Sequence, residues 1–421
     1  MKFLGLSFVA LLIGLSLFLM LMILITLVWW VIPNQKLHKL KKCGFEGPPP
    51  SFPLGNIKDM KRKKSNIIII TTTTISSSSS NLSYGKVFIY WLGTEPFLYI
   101  AEAEFLKKMS REVEAKAWGK PYYFRKDRYS MFGEGLVMTE SNQWVLHCHV
   151  IAPAFNPLKF KAMANMMVES TRKMIERWIS QINYGNPEID VEREIIWKEP
   201  KTLETKKIGG EIDKLLITII NERMQSGKSK EDLLGHLLQE NHQVVNGEEK
   251  NKFSMRELID ECKTFFISGY EITSLSIIWS LLLLAMHEDW QNQLRDEIKE
   301  VMGNNGDFGV NVNLLNGLKK IDLIAMYCDA TLRRSDANEF KPERFMDDEN
   351  HGCNHQMGYL PFGFVGRMCV GRNLSFMEYK IVLTRLLSRF RFKVSSSYHH
   401  SPTIMLSLGP IHRISLIVQP L

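Results

Sequence analysis

Residues 3–32 carry no charged side chain. An apolar run of that length exceeds the roughly 20 residues a membrane-crossing helix needs and the ~7–15 of a cleaved secretory leader. Trp29 and Trp30 close the run where an interfacial aromatic pair belongs. Lys36, Lys39, Lys41 and Lys42 follow directly, against Lys2 alone on the other side. The pattern predicts a single-pass signal anchor over 1–33 with the body of the chain in the cytosol. A basic, Pro-rich hinge follows over 34–64, in which Gly47-Pro48-Pro49-Pro50-Ser51-Phe52-Pro53 cannot be helical. Residues 65–83 hold a run, Ile67–Ser80, made of isoleucine, threonine and serine alone; such low complexity specifies no packed structure.

Periodicity returns from residue 84 and predicts a single body over 84–421. Two β-rich runs within Lys86–Ile100 flank Leu92-Gly93-Thr94-Glu95-Pro96 and predict a hairpin. Glu104–Val113 reads as a short helix. Leu158–Ile182 reads as a long amphipathic helix whose apolar face holds Met163, Met166, Met167, Met174, Ile175 and Trp178. Further helices are expected over Ile212–Met224 and Lys228–Gln239, with a polar loop over Asn246–Asn251. The longest pattern in the body is Ser254–His287. Ser254 is a good N-cap with Glu257 three residues on, and Leu275–Met286 is apolar nearly all round, which demands burial in the middle of a large fold. Glu288–Met302 is an exposed amphipathic helix. The sum is a mainly α protein with a small β-sheet region.

Composition narrows the partners. The chain has 421 residues, 45% hydrophobic, and a net charge of +8 concentrated near the N-terminus. That clustering is a membrane-surface signature, and no nucleic-acid-binding motif accompanies it. Six cysteines without a CxxC pair exclude a regular disulfide or zinc framework.

One cysteine stands apart. Pro361–Gly371, Pro-Phe-Gly-Phe-Val-Gly-Arg-Met-Cys-Val-Gly, puts Cys369 at the end of a Gly-rich loop where an apolar, helix-favouring run begins. Helix-start amides favour a thiolate and are expected to lower its pKa; a thiolate on such a turn suits one axial iron ligand. A buried structural cysteine is the alternative for any lone Cys.

The spacing Phe362-x4-Arg367-x-Cys369-x-Gly371 resembles the haem-ligand loop of the cytochrome P-450 family, the haem-thiolate monooxygenases. Ser268-Gly269-Tyr270-Glu271-Ile272-Thr273, inside the longest helix, is similar to that family's oxygen-activation segment. Pro342-Glu343-Arg344-Phe345 resembles its Pro-Glu-Arg-Phe motif, and Trp144 falls where the family has a tryptophan beside a haem propionate. Anchor, hinge, central helix and cysteine loop occur in family order.

The resemblance implies haem as cofactor, with Cys369 as its iron ligand and Phe362, Arg367, Gly371 and Trp144 around it. Glu271 and Thr273 would act in proton delivery. It also implies a flavoprotein reductase as electron donor, a small apolar substrate and a place on the endoplasmic reticulum membrane. The texture of Met357–Leu360 and Phe376–Lys380 looks closest to plant members that oxidise hormones such as gibberellins.

Four positions depart from the family. Val365 replaces a loop glycine, Cys148 stands where an arginine follows Trp144, and Ile272 replaces the threonine beside dioxygen. No Glu-x-x-Arg lies between Leu314 and Arg344; the only clear one is Glu169–Arg172, much earlier. Arg344 is therefore expected to be buried without its partners. Segments read as missing near 200 and 320. Two functions follow: a membrane-anchored monooxygenase, or a non-catalytic anchored remnant with weak or no haem binding.

Overall fold

The computed structural model describes residues 2–56, 85–112, 119–195, 202–226, 232–245, 248–303, 312–329, 339–346, 355–404 and 407–421. The low-complexity run lies outside them. The chain divides into two compact units, Met1–Lys107 and Lys108–Leu421.

The first unit opens with helix α1 (Lys2–Thr26), passes through one π turn (Leu27–Val31) and continues as α2 (Ile32–Lys42). Leucine, isoleucine, methionine and phenylalanine side chains stand exposed along α1 from Leu11 onward, and the helix is long and apolar enough to cross a membrane. The expected hairpin is present: β1 (Val87–Leu92) pairs antiparallel with β2 (Glu95–Ile100). Gly93, at φ 60, takes the left-handed backbone the tight turn requires.

The Pro-rich stretch is not a free hinge. Ile89 donates its amide to the Glu46 carbonyl at 2.7 Å, Trp91 donates its ring N–H to the Pro48 carbonyl at 3.1 Å, and the Asn56 side chain accepts from the Trp91 amide at 2.9 Å. A Cβ on Gly47 would lie 2.2 Å from the Ile89 carbonyl oxygen, so only glycine lets the stretch lie this close to the strand. Proline cannot join a ladder, but its neighbours' carbonyls serve the β1 edge.

In the second unit, after α3 (Ala103–Glu112), come α4 (Tyr122–Phe132), α5 (Ser141–Ile151), α6 (Phe160–Asn183), β3 (Glu188–Asp190), α7 (Val191–Ile195), α8 (Thr202–Gln225) and α9 (Leu233–Asn241). The stretch expected as a polar loop is instead a small hairpin, β4 (His242–Val245) with β5 (Glu248–Asn251). A four-residue polar strand has no apolar periodicity to betray it. Next come α10 (Met255–Met286), α11 (Glu288–Met302), α12 (Lys319–Asp329) and α13 (Arg372–Leu387), with β6 (Phe390–Val394), β7 (Pro402–Ile404), β8 (Leu408–Pro410) and β9 (Ser415–Pro420) closing the chain.

Helix α10 is the axis of this unit. Ser254 and Glu257 form the predicted reciprocal capping box. Its C-terminal half buries Ile277, Ile278, Leu281, Leu282 and Leu284 in the main core, beside Trp178, Leu386, Phe390 and Phe392. The fully buried Gln291 side chain donates to the carbonyls of Leu284 and Phe392 and accepts from the Phe392 amide. Arg295 donates to the carbonyls of Leu387 and Phe390. Two side chains of α11 thus satisfy backbone groups at the ends of α10 and α13 and along β6. The small sheet runs β3-β9-β6.

One expectation about charge is corrected. Arg344 is not buried without partners: it sits half-exposed in a 3-10 turn (Pro342–Phe345) and donates to the carbonyls of Lys341 and Glu339. Glu169 and Arg172 lie on the surface of α6, where Arg172 also pairs with Glu176.

Candidate functional site

The cysteine loop is shaped by local backbone needs. Gly363, at φ 74, makes the turn, and the Cys369 amide closes the loop onto the Phe362 carbonyl at 2.8 Å. Val365, where the family has glycine, begins a right-handed 3-10 turn (Val365–Arg367), a backbone that a β-branched residue adopts without strain.

Gly371 caps α13, and the amides of Gly371 and Arg372 both donate to the Cys369 sulfur. The thiol lies in a recess that solvent still reaches. Burial nonetheless holds its pKa above the ordinary thiol value, outweighing those two hydrogen bonds, so the lowering expected from a helix start is not what the site shows. A Cβ on Gly371 would touch both the Cys369 sulfur, at 3.9 Å, and the Phe155 ring, at 3.7 Å; that ring meets Phe265 of α10 at 5.3 Å. Phe362 packs on Phe376 of α13 at 5.2 Å and takes the Arg372 guanidinium near its face.

Arg367 and Trp144 come together. The guanidinium lies 4.1 Å from the centre of the Trp144 ring and donates to the Thr139 carbonyl at 3.2 Å. Burial lowers the Arg367 pKa, with Cys148 and Glu140 among its charged neighbours acting the other way. Cys148, in the place of the missing arginine, is pushed up to about 11 by burial and supplies no positive charge. The loop that offers Thr139 is itself fixed to the central helix. The Asp260 carboxylate accepts from the Glu134 amide at 3.0 Å and pairs with Arg256. Gly133 leaves room for that carboxylate, since a Cβ there would fall 2.1 Å from it.

His147 and His149 flank Cys148, and a histidine there could replace the arginine in part. His147 does not: it is fully buried, with Nδ1 2.5 Å from Glu261 of α10 and Nε2 3.7 Å from Glu257. Burial raises the Glu261 pKa, with the His147 contacts opposing it. Sequence reading missed this pair because the two residues are 114 apart and nothing local marks them.

On α10 the oxygen-activation segment faces two ways. Phe266 and Ile272 are each 51% exposed, a Cβ on Gly269 would meet nothing within 4 Å, and Tyr270 stacks on Phe266. Thr273 is 4% exposed and donates to the Ser375 hydroxyl of α13 at 3.4 Å, so its hydroxyl is turned away from that open face. The 100° step per residue separates the two.

An apolar face left bare on a helix whose other side is buried is itself informative. Val145 and Leu146 beside Trp144, and Met368 beside Cys369, are exposed as well. A haem would find apolar side chains here for its ring, a thiol for its iron and the Arg367 guanidinium for its carboxylates. One cysteine sulfur, one arginine over a tryptophan, and no cluster of metal-ligating side chains among the described residues make up the donor set. The residues present fit haem.

Comparison with known proteins gives the same answer. The family model described as cytochrome P450 matches residues 76–196, 190–334 and 320–410. Cytokinin hydroxylase of Arabidopsis thaliana is 28% identical over 491 aligned positions, covering 93% of this chain and 94% of that protein. Cytochrome P450 709B1 of the same plant is 28% identical over all of this chain and 99% of its own length. The 11-oxo-beta-amyrin 30-oxidase of Glycyrrhiza uralensis is 28% identical, covering 80% of this chain and 81% of its own. None of these three is named for a gibberellin, so the narrower likeness in texture is not supported by them. The chain belongs to the cytochrome P450 family of haem-thiolate monooxygenases, whose members bind haem.

Proposed function

We propose that this chain is a membrane-anchored haem protein that takes a small apolar molecule, of the terpenoid or hormone class, against the bare face of α10. The relatives' names support that class. The observation that carries the assignment is Cys369: a thiol at a helix start, accepting two amides and open to a recess. Cys369 would hold the iron, and Arg367 over Trp144 would meet the haem carboxylates. When bound, haem supplies one-electron and dioxygen chemistry. The chain's own residues exclude water with Phe266 and Ile272 and offer a proton from Glu271. Thr273 takes no part in that delivery, because its hydroxyl is committed to Ser375.

Anchoring in the endoplasmic reticulum with a cytosolic body rests on α1 and the lysines after it, and a flavoprotein reductase is the electron donor by family habit. The missing segments near 200 and 320 draw support from two facts. The family model matches in pieces that meet at 190–196 and 320–334, and the cytokinin hydroxylase alignment runs over 491 positions against 421 residues here.

A second reading, a remnant with little turnover, is favoured by Ile272 standing on the exposed face without a hydroxyl. Positioned acid–base groups contribute about 10²–10⁴-fold, so haem binding with poor coupling is the expected behaviour. Purified full-length chain, supplied with reductase and NADPH, should oxidise NADPH and release hydrogen peroxide in excess of hydroxylated product. Tightly coupled hydroxylation would remove the second reading. Absence of any haem spectrum would remove the first.

A further inference from the structure

Helices α6 and α13 lie side by side, and between them and the start of α9 is a cavity of about 440 Å³. Met163, Met166 and Met167 wall it from α6, Leu374 and Val382 from α13, and Leu233 from α9. Leu374, Glu378 and Val382 follow at four-residue steps, so one stripe of α13 presents a carboxyl group between two apolar side chains.

Ser170 stands at the exposed edge of the wall, and two of its other polar groups are engaged. Asp232 pairs with Arg223 and caps α9 through the Gly235 amide, and the Thr171 hydroxyl donates to the Met167 carbonyl. Glu378 has no hydrogen bond or ion pair among the described residues. Met166 is 50% exposed, so the cavity is reachable from solvent.

We propose that this cavity is a second ligand site, separate from the haem recess, which binds a small apolar molecule bearing a protonated amine, with the ammonium on the Glu378 carboxylate and the apolar body among the methionines. A bare recessed carboxylate is costly, so the empty site avoids the charge by holding a proton, and a ligand cation can take that proton's place. A carboxylic acid would place like charge beside it, and an alcohol would gain only a neutral hydrogen bond. The volume lies within the range of small-molecule pockets, and unbranched methionines adapt to a class of shapes.

Burial pushes the Glu378 pKa up to about 7, so the empty site holds a proton at neutral pH that an ammonium ligand must displace. Amine affinity should therefore rise about tenfold per pH unit below pH 7 and level off above it.

The probe is 2-phenylethylamine, with 2-phenylethanol as its neutral counterpart, titrated calorimetrically into the full-length protein. The amine should bind with the stated pH dependence, bind at least tenfold more weakly to Glu378→Gln, and weaken again in Met166→Trp, which fills the cavity without touching the charge. The alcohol should bind weakly and equally to all three. Amine ligation to haem iron is followed in the same samples by haem absorption, and a shift there should be unaffected by either substitution. Amine binding that Met166→Trp leaves unchanged overturns the proposal, and so does equal affinity for Glu378→Gln. If Glu378→Gln does not fold, Met166→Trp alone decides.

Discussion

At Ile272 a hydrocarbon occupies the bare face of α10, while the hydroxyl of Thr273, one residue on, is spent on Ser375. Ile272→Thr restores a hydroxyl on that face but leaves Cys148, which supplies no positive charge, in place. Product formed per NADPH consumed should accordingly stay low in Ile272→Thr; full coupling would show that one side chain accounts for the defect. Glu378 gives a second prediction at this scale. Its folded pKa, raised to about 7, lies above the unfolded value of about 4.3, so its stabilising protonated state is complete below pH 4.3. That contribution is lost as pH rises toward 7, by roughly 3 kcal/mol in all. Denaturant unfolding of Glu378→Gln should show a flatter stability profile than the parent between pH 4.5 and 7. Parallel profiles would mean that Glu378 is not buried as described.

Among the elements, α10 was readable because its signals agree: a capping box, then an apolar stretch all round. Glu288–Met302 was read with the observed bounds for the same kind of reason, a clean amphipathic period. What escaped was long-range. The Pro-rich stretch reads as a hinge because proline forbids helix, and nothing local says that Glu46 and Pro48 carbonyls will serve β1. The cysteine loop was legible as a motif, but the guanidinium of Arg367 on Trp144 joins residues 223 positions apart, and only the family resemblance pointed there. Likewise the Arg344 turn could not be foretold, since the elements that bury this arginine elsewhere in the family have no counterpart to read here.

These contrasts give one paired test. Gln291→Leu strands two carbonyls and an amide in the core, at about 1–3 kcal/mol each, and should cost about 3 kcal/mol or more. Arg344→Ala removes bonds to carbonyls of its own turn at the surface and should cost about 1 kcal/mol or less. Chemical denaturation of both variants checks the order; a reversal would mean that Arg344, not Gln291, ties the fold.

Across the whole molecule, orientation and cofactor belong together, since a reductase and its electrons come from the cytosol. On the proposed orientation, with the lysines after α1 and the body on the cytosolic side, the sequons at Asn81 and Asn373 should carry no glycan. Asn373 is exposed in the first turn of α13, where a glycosylating enzyme in the lumen would reach it during synthesis. A glycosidase-sensitive mobility shift of the expressed chain would reverse the topology. Gln291 and Arg295 tie the α10–α11–α13 core to the β3-β9-β6 sheet through backbone groups. The chain therefore has a scaffold on which Cys369 can be presented despite the departures around it. The most direct measurement is the difference spectrum of the reduced, carbon monoxide-bound, full-length protein, taken beside Cys369→Ser. The parent should show the thiolate-type band, weak in proportion to partial haem retention, and Cys369→Ser should lose it. A band that survives the substitution, or no haem absorption in the folded parent, would contradict the assignment of Cys369 as the residue that holds the iron.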